Sequence, residues 1–340
     1  MRWWTLAGVR VAAPCRLLGI RSRHFHHVPV LPQETLELWA PRRGQTSEPL
    51  YYVDGTVGLG GHSRLLLDAS PTARLLCIDR DPEILDQAKR SLARFSDRVD
   101  FALGSYMDIK THLSHAGFPD AVDGILVDLG VNSHHLDAGE RGFSIYHDGP
   151  LDMRFDQSVH TPTAADLVNT LSEVAMIKIF TQYGEEPLAK EFAKAIIRRR
   201  GTNPFERTDQ LKRCIEAIAE KWKSPKKAAP KTGKKPIHPA TRVFQALRIA
   251  VNFELDHLEK GVPAFLECLA VDGQLATIAF HSLEDRWIKR YFRDVVDDTE
   301  EFKLTQRKAI QATNDEVLGN PRSRSAKLRG IKRIVSLAQE

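Results

Sequence analysis

Four short apolar runs in this sequence end on side chains that can do chemistry. Tyr51-Tyr52-Val53 leads to Asp54, and Leu75-Leu76-Cys77-Ile78 leads to Asp79. Ile125-Leu126-Val127 leads to Asp128, and the run from Leu275 to Phe280 leads to His281. The first run opens directly into Asp54-Gly55-Thr56-Val57-Gly58-Leu59-Gly60-Gly61-His62. Glycines after a strand let the backbone turn sharply and approach a ligand closely. Asp79 lies 25 residues beyond Asp54, at the end of the next run. An acid at that place can accept hydrogen bonds from both hydroxyls of a ribose.

The details of the turn narrow the ligand. A dinucleotide fingerprint needs a third glycine at position 63, and the chain has Ser63 there. No Gly-Lys-Ser/Thr follows, so the triphosphate-cradling loop is also missing. A nucleoside without a pyrophosphate fits better. S-adenosylmethionine meets that description, and its sulfonium would favour nearby carboxylates.

These residues need a scaffold that gathers strand ends. Short apolar runs bounded by turns, with helical stretches between them, indicate an α/β fold with a parallel sheet. In such sheets ligands bind outside the carboxyl ends of the strands. From about Thr163 to Lys223 the pattern is helical throughout, with no convincing strand, which predicts an all-helical insertion. Thr163 with Asp166 resembles a capping box, and Thr208 is placed to cap the next helix. A further helix starts near Thr241, with Phe244, Leu247, Val251, Leu255 and Leu258 as its buried stripe. Residues 221–235 carry seven lysines with prolines and no acid, an exposed loop that either meets phosphates or is simply solvated.

Composition bounds the rest. The chain has 340 residues and a formal net charge of +5, compatible with a polyanionic partner without requiring one. No apolar run is long enough for a membrane span. Cys15, Cys77, Cys214 and Cys268 are too dispersed for a disulfide framework or a metal knuckle, so neither is expected. Residues 1–26 contain arginines and no acid, the composition of an organellar transit peptide, mitochondrial rather than plastid on its low serine content.

Longer motifs run in order along the chain. They include His27-Val28-Pro29-Val30-Leu31, Gly60-Gly61-His62-Ser63, Ile78-Asp79-Arg80-Asp81-Pro82 and Asp128-Leu129-Gly130-Val131. Further on come Arg141-Gly142-Phe143-Ser144, Asp152-Met153-Arg154, Tyr183-Gly184-Glu185-Glu186 and His238-Pro239-Ala240-Thr241-Arg242. Phe280-His281-Ser282-Leu283-Glu284-Asp285-Arg286 and the stretch from Asn320 to Arg329 complete the series. From His27 onward the chain resembles the MraW-type methyltransferases, the ribosomal RNA small subunit methyltransferase H family.

That resemblance implies a Rossmann-like class I methyltransferase sheet, built from 27–140 and 239–340 and interrupted by a helical insertion over 141–238. It implies methyl transfer from S-adenosylmethionine to N4 of a cytidine in small-subunit rRNA, and it permits a homodimer. Matched positions make Gly60, Gly61, His62, Asp79, Tyr106, Asp128 and His135 the cofactor contacts. The family's Ser-Ser-Pro-Gln is Asn132-Ser133-His134-His135 here, so His135 stands for a glutamine. Phe155 stands where a methionine is usual.

Cytosine N4 is a poor nucleophile, because its lone pair is delocalised into the ring. An enzyme must hold it in line with the methyl carbon and offer oriented acceptors. Asp128 is the candidate that orients this amine; a purely structural or cofactor-binding Asp128 is the competing reading. His281, Arg286, Arg322 and Arg324 are candidate RNA contacts, with Lys327 and Arg329 extending the basic cluster. The bland alternatives are a helix start capped by Ser282 and closed by Asp285, and a solvated basic tail. Two other functions stay open: a nucleotide-dependent oxidoreductase, opposed by Ser63, and a catalytically silent rRNA-binding assembly factor, which the altered 132–135 segment allows.

Overall fold

In the computed structural model the described residues are 28–41, 47–222 and 237–334. The suggested transit peptide and nearly all of the lysine-rich loop lie outside them. Seven strands form one sheet: β1 (Leu50–Asp54), β2 (Ala73–Asp79), β3 (Val99–Leu103), β4 (Val122–Asp128), β5 (Leu269–Ala279), β6 (Phe302–Leu304) and β7 (Lys327–Arg333). Their spatial order is β3-β2-β1-β4-β5-β7-β6. The pairings from β3 through β5 are parallel, and β7 is antiparallel to both β5 and β6. The order reverses between β1 and β4, and a crevice opens at such a point. The sheet is therefore the Rossmann-like α/β scaffold expected from the alternating runs.

The strands bury both faces. Leu75 and Cys77 of β2 join one core with Tyr52 and Leu126, while Leu76 and Ile78 join the other with Val53, Ile125 and Val127. Alternation of period two thus splits each continuous apolar run between two cores. β3, β6 and β7 are not apparent as apolar runs. β7 reads Lys-Leu-Arg-Gly-Ile-Lys-Arg, and of its side chains only Leu328 and Ile331 join a core, one on each face of the sheet.

Between β4 and β5 the chain makes a third core, with side chains drawn from Phe143 through Val251. The helices Ala164–Thr170, Glu173–Gln182, Ala189–Arg200 and Thr208–Lys221 supply much of it. The Thr163–Asp166 capping box is present in full. Thr208 is instead the first helical residue, and its hydroxyl accepts the Gly149 N–H at 3.1 Å.

The stripe from Phe244 to Leu258 is not one helix. It divides into Thr241–Asn252 and Glu254–Glu267 at Phe253, whose φ of 53° is left-handed. The break redirects the chain: Phe244, Leu247 and Val251 enter the helical core, whereas Leu258 enters the core beneath the sheet. Helical packing thus continues past residue 238, where the expected insertion ended. Among the described residues no helix is long and apolar enough to cross a membrane.

Candidate active site

The crevice at the strand-order reversal is walled by the glycine turn, the ends of β2, β4 and β5, and the start of the helix Glu254–Glu267. The turn has its shape because two glycines take left-handed backbone, Gly58 at φ 54° and Gly60 at φ 79°. Most side chains would be strained there. Gly61 and His62 face the crevice. Gly60 does not line it: its α-carbon faces Leu92, and it acts by shaping the turn at the start of the helix Gly61–Ala69.

Asp79 faces the crevice with its carboxylate fixed by backbone. Oδ2 accepts the Gly58 N–H at 3.0 Å and Oδ1 accepts the Asp81 N–H at 3.0 Å. Each oxygen has a second lone pair available, as two ribose hydroxyls require. Burial pushes the Asp79 carboxyl above its ordinary value, against the pull of those two N–H groups. Asp54, beneath the turn, accepts the Ser63 hydroxyl at 2.6 Å. The serine that replaces a third glycine therefore anchors the turn to β1. Burial lifts Asp54 to about 7, despite the Ser63 and Thr56 hydrogen bonds.

Asp81, two residues beyond Asp79, organises the adjoining wall. Oδ1 caps the helix Pro82–Ser91 through the Glu83 and Ile84 N–H groups. Oδ2 receives the Arg141 guanidinium at 2.7 Å and lies 2.7 Å from His135 Nε2. Burial opposes the charge on Asp81, but His135 and Arg141 outweigh it and hold the carboxyl below its usual range. His135 does line the crevice, and its ring stacks on Phe143 at 5.0 Å. Its Nδ1 is buried without a hydrogen-bond partner. Sequence reasoning missed Asp81 and Arg141 as working residues. The Asp-Pro pair, a cap followed by proline in the first turn, was the available signal.

Tyr106 also lines the crevice, packed against Phe265 at 5.6 Å and edge-on to His257 at 6.3 Å. Burial raises its phenol and lowers His257 to about 4, so that imidazole is neutral at physiological pH. Arg80 donates to the Asn252 carbonyl at 2.8 Å and lies over the Phe155 ring at 5.8 Å.

Asp128 closes the opposite side. Its backbone N–H donates to the Thr56 hydroxyl at 2.7 Å, which ties the end of β4 to the glycine turn. Oδ2 lies 3.7 Å from His62 Nε2, and Oδ1 is buried with no hydrogen-bond partner. Burial raises the Asp128 carboxyl well above its ordinary value, and the charges of Asp54 and Glu284 add to this.

The candidate RNA contacts separate. Arg322 borders the crevice and pairs with Asp137 at 2.8 Å. Arg324 is exposed outside it. Arg286 is exposed and pairs with Glu185 at 2.6 Å. Lys327 and Arg329 both bind Asp285, at 2.7 and 2.9 Å, so they brace β7 against the helix Ser282–Asp298. His281 is the cap of that helix, with Glu284 closing the box; Ser282 and Asp285 do not fill those roles. The Ser282 hydroxyl donates to Glu185 instead.

Glu254, His281 and Glu284 each place one ligand atom within 4.8 Å of the others, close enough to hold a cation among the described residues. Both oxygens of Glu254 are already held by Arg248, at 2.8 Å each. The cluster thus carries a built-in positive charge.

The residues present fit S-adenosylmethionine. They offer a fixed acid for the ribose, a glycine turn that admits close approach, an aromatic-lined recess at Tyr106, and an unengaged carboxylate oxygen on Asp128.

Comparison with known proteins agrees. Residues 24–334 match the model of the MraW methylase family. The chain is 44% identical over 325 residues to the ribosomal RNA small subunit methyltransferase H of Geobacter sp. (strain M21), covering 91% of this chain and 99% of that one. It is 43% identical over 324 residues to the protein of the same name from Trichormus variabilis, covering 95% and 97%. Among solved structures, a putative rRNA-methylase from Clostridium thermocellum aligns over 88% of this chain and 94% of its own, with 10% identity and a TM-score of 0.41. The family-model match and the identity to these curated relatives show that the chain belongs to the MraW methylase family, and it is an S-adenosylmethionine-dependent methyltransferase of the class I fold.

Proposed function

We propose that this enzyme methylates N4 of a cytidine in small-subunit ribosomal RNA. The observation that carries the reading is the pairing of two acids across one crevice. Asp79 is held for a ribose, and Asp128 presents a buried oxygen with no partner at the end of β4. S-adenosylmethionine supplies an electrophilic methyl group when bound. The protein's own part is to place an amine in line with it. Asp128 Oδ1 accepts one N–H of that amine and turns the nitrogen lone pair toward the methyl carbon. With its raised proton affinity, Asp128 is also suited to take the proton the amine releases.

The experiment uses labelled S-adenosylmethionine with unmodified small ribosomal subunits or their rRNA, followed by digestion to nucleosides. Label in N4-methylcytidine, lost in Asp79→Ala, is the expected result. Cofactor binding without any transfer would favour an RNA-binding assembly factor.

The acid-free, arginine-containing composition of residues 1–26 supports import into mitochondria. Fusion of these residues to a fluorescent protein checks this, and a plastid or cytosolic signal would contradict it. The substrate would then be the small-subunit rRNA of the organelle. The homodimer that the resemblance permits is checked by sedimentation of the full chain.

A further inference from the structure

The wall at the end of β5 holds polar groups beyond those used so far. Glu284 lines the crevice and is buried. Its Oε2 accepts the Phe280 N–H at 2.9 Å and the His281 N–H at 3.3 Å. Its Oε1 lies 3.1 Å from His281 Nε2. The His281 ring accepts the Glu284 N–H through Nδ1, which places the ring proton on Nε2. That Nε2 is buried and faces Glu284 Oε1, and the His281 side chain is only 9% exposed. Glu254 lies beside this pair, facing the same crevice and anchored by Arg248.

Despite its burial, Glu284 stays a carboxylate, because His281, Arg248 and the Phe280 N–H outweigh the cost of desolvation. Its charge is felt at Asp128 and at Tyr106, so it acts on the space between them. This side of the crevice is thus dominated by acceptors: Asp128 Oδ1, Glu284 and Glu254. A base with two exocyclic N–H bonds satisfies such a wall. A base with a keto oxygen at the same place meets fixed negative charge and leaves the buried Asp128 Oδ1 without a donor, which is costly.

Taking the amine-methylating reading above as its basis, we propose that Glu284, braced by His281 and accompanied by Glu254, receives one N–H of the target base and so selects a 4-aminopyrimidine over a 4-oxo one. Asp128 holds the other N–H. Arg248 holds both oxygens of Glu254 and offsets the repulsion among the three acids. Sites built to hydrogen-bond a substrate group reject analogues that lack it far more strongly than apolar pockets reject shape.

The test measures binding of the chain, saturated with S-adenosylhomocysteine, to three RNA fragments. Each carries the position that the wild-type chain labels, as cytidine, as 2-pyrimidinone (hydrogen in place of the amine) or as uridine. The expected order is cytidine, then 2-pyrimidinone about tenfold weaker, then uridine weaker by about tenfold again. In Glu284→Gln, whose amide can donate to a keto oxygen, the gap between 2-pyrimidinone and uridine closes to within about threefold. Equal binding of 2-pyrimidinone and uridine by the wild-type chain overturns the proposal, and so does a full gap in Glu284→Gln. Should that variant fail to fold, the wild-type series decides alone. A wild-type chain that forms no N4-methylcytidine contradicts the methylation reading itself, a separate failure seen before the RNA series begins.

Discussion

The two sides of the crevice are built by different means. On the β1–β2 side, each acid is held by backbone from its own neighbourhood. Asp54 accepts the Thr56 N–H, Asp79 accepts the Asp81 N–H, and Asp81 accepts the Glu83 N–H. On the β4–β5 side Glu284 and Glu254 also have local partners, the Phe280 N–H and Arg248, but the braces around them span the chain: Glu185 with Arg286, Asp137 with Arg322, Asp285 with Lys327 and Arg329. The near side is a set of local turns, whose acids are reached by distant side chains at Asp81, from His135 and Arg141, and it holds one unvarying ligand. The far side exists only when the insertion, β5 and the C-terminal segment are assembled, which suits a wall that must read an RNA.

The comparison can be broken most severely at Asp79. Removing both acceptors in Asp79→Ala is expected to weaken S-adenosylmethionine binding by about a hundredfold or more, since hydrogen bonds to charged groups contribute roughly 1.5–3 kcal/mol each. Calorimetric titration checks it; affinity within threefold of wild type would show that the ribose lies elsewhere.

Next comes Asp81→Ala, which removes a helix cap and strands Arg141 in a buried place. A loss of about 3–5 kcal/mol in denaturant unfolding is expected. A loss under about 1 kcal/mol would mean that the Asp81–Arg141–His135 cluster does not brace the near side.

Asp54 gives a pH signature of similar origin. Its native carboxyl sits at about 7, above the 3.8 of an unperturbed group. The folded chain therefore holds a proton there that the unfolded chain gives up. This contribution is full below about pH 4 and is lost as pH rises through about 7, by roughly 4 kcal/mol at most. Asp54→Asn should flatten the fall in stability between about pH 4 and about pH 7. An unchanged slope would contradict the assignment.

The smallest effect is expected at Arg286→Ala. Its exposed pair with Glu185 should contribute less than about 1 kcal/mol to stability. A larger loss would place this long-range contact among the supports of the fold.

The same division explains what was legible in the sequence. The strand ends, the glycine turn and the Thr163 cap are local patterns, and Asp79, His62 and Asp128 line the crevice that those patterns frame. Residues that act through distant partners were read differently. Lys327 and Arg329 look like free basic residues, yet they serve Asp285. Glu254 looks like an ordinary helical acid, yet the left-handed Phe253 turns it toward the crevice. No local period signals either outcome, because the cause is tertiary packing. β7 is hidden for a related reason: four of its seven residues are charged, and only the antiparallel pairing with β5 makes the strand necessary.

The central claim is that Asp128 orients the reacting amine. Single-turnover methyl transfer by Asp128→Asn, at saturating cofactor and RNA, tests it most directly. The expected rate is lower by about a hundredfold or more, with the RNA still bound. Full rate together with full cofactor affinity would contradict it, and would reduce Asp128 to a structural end of β4.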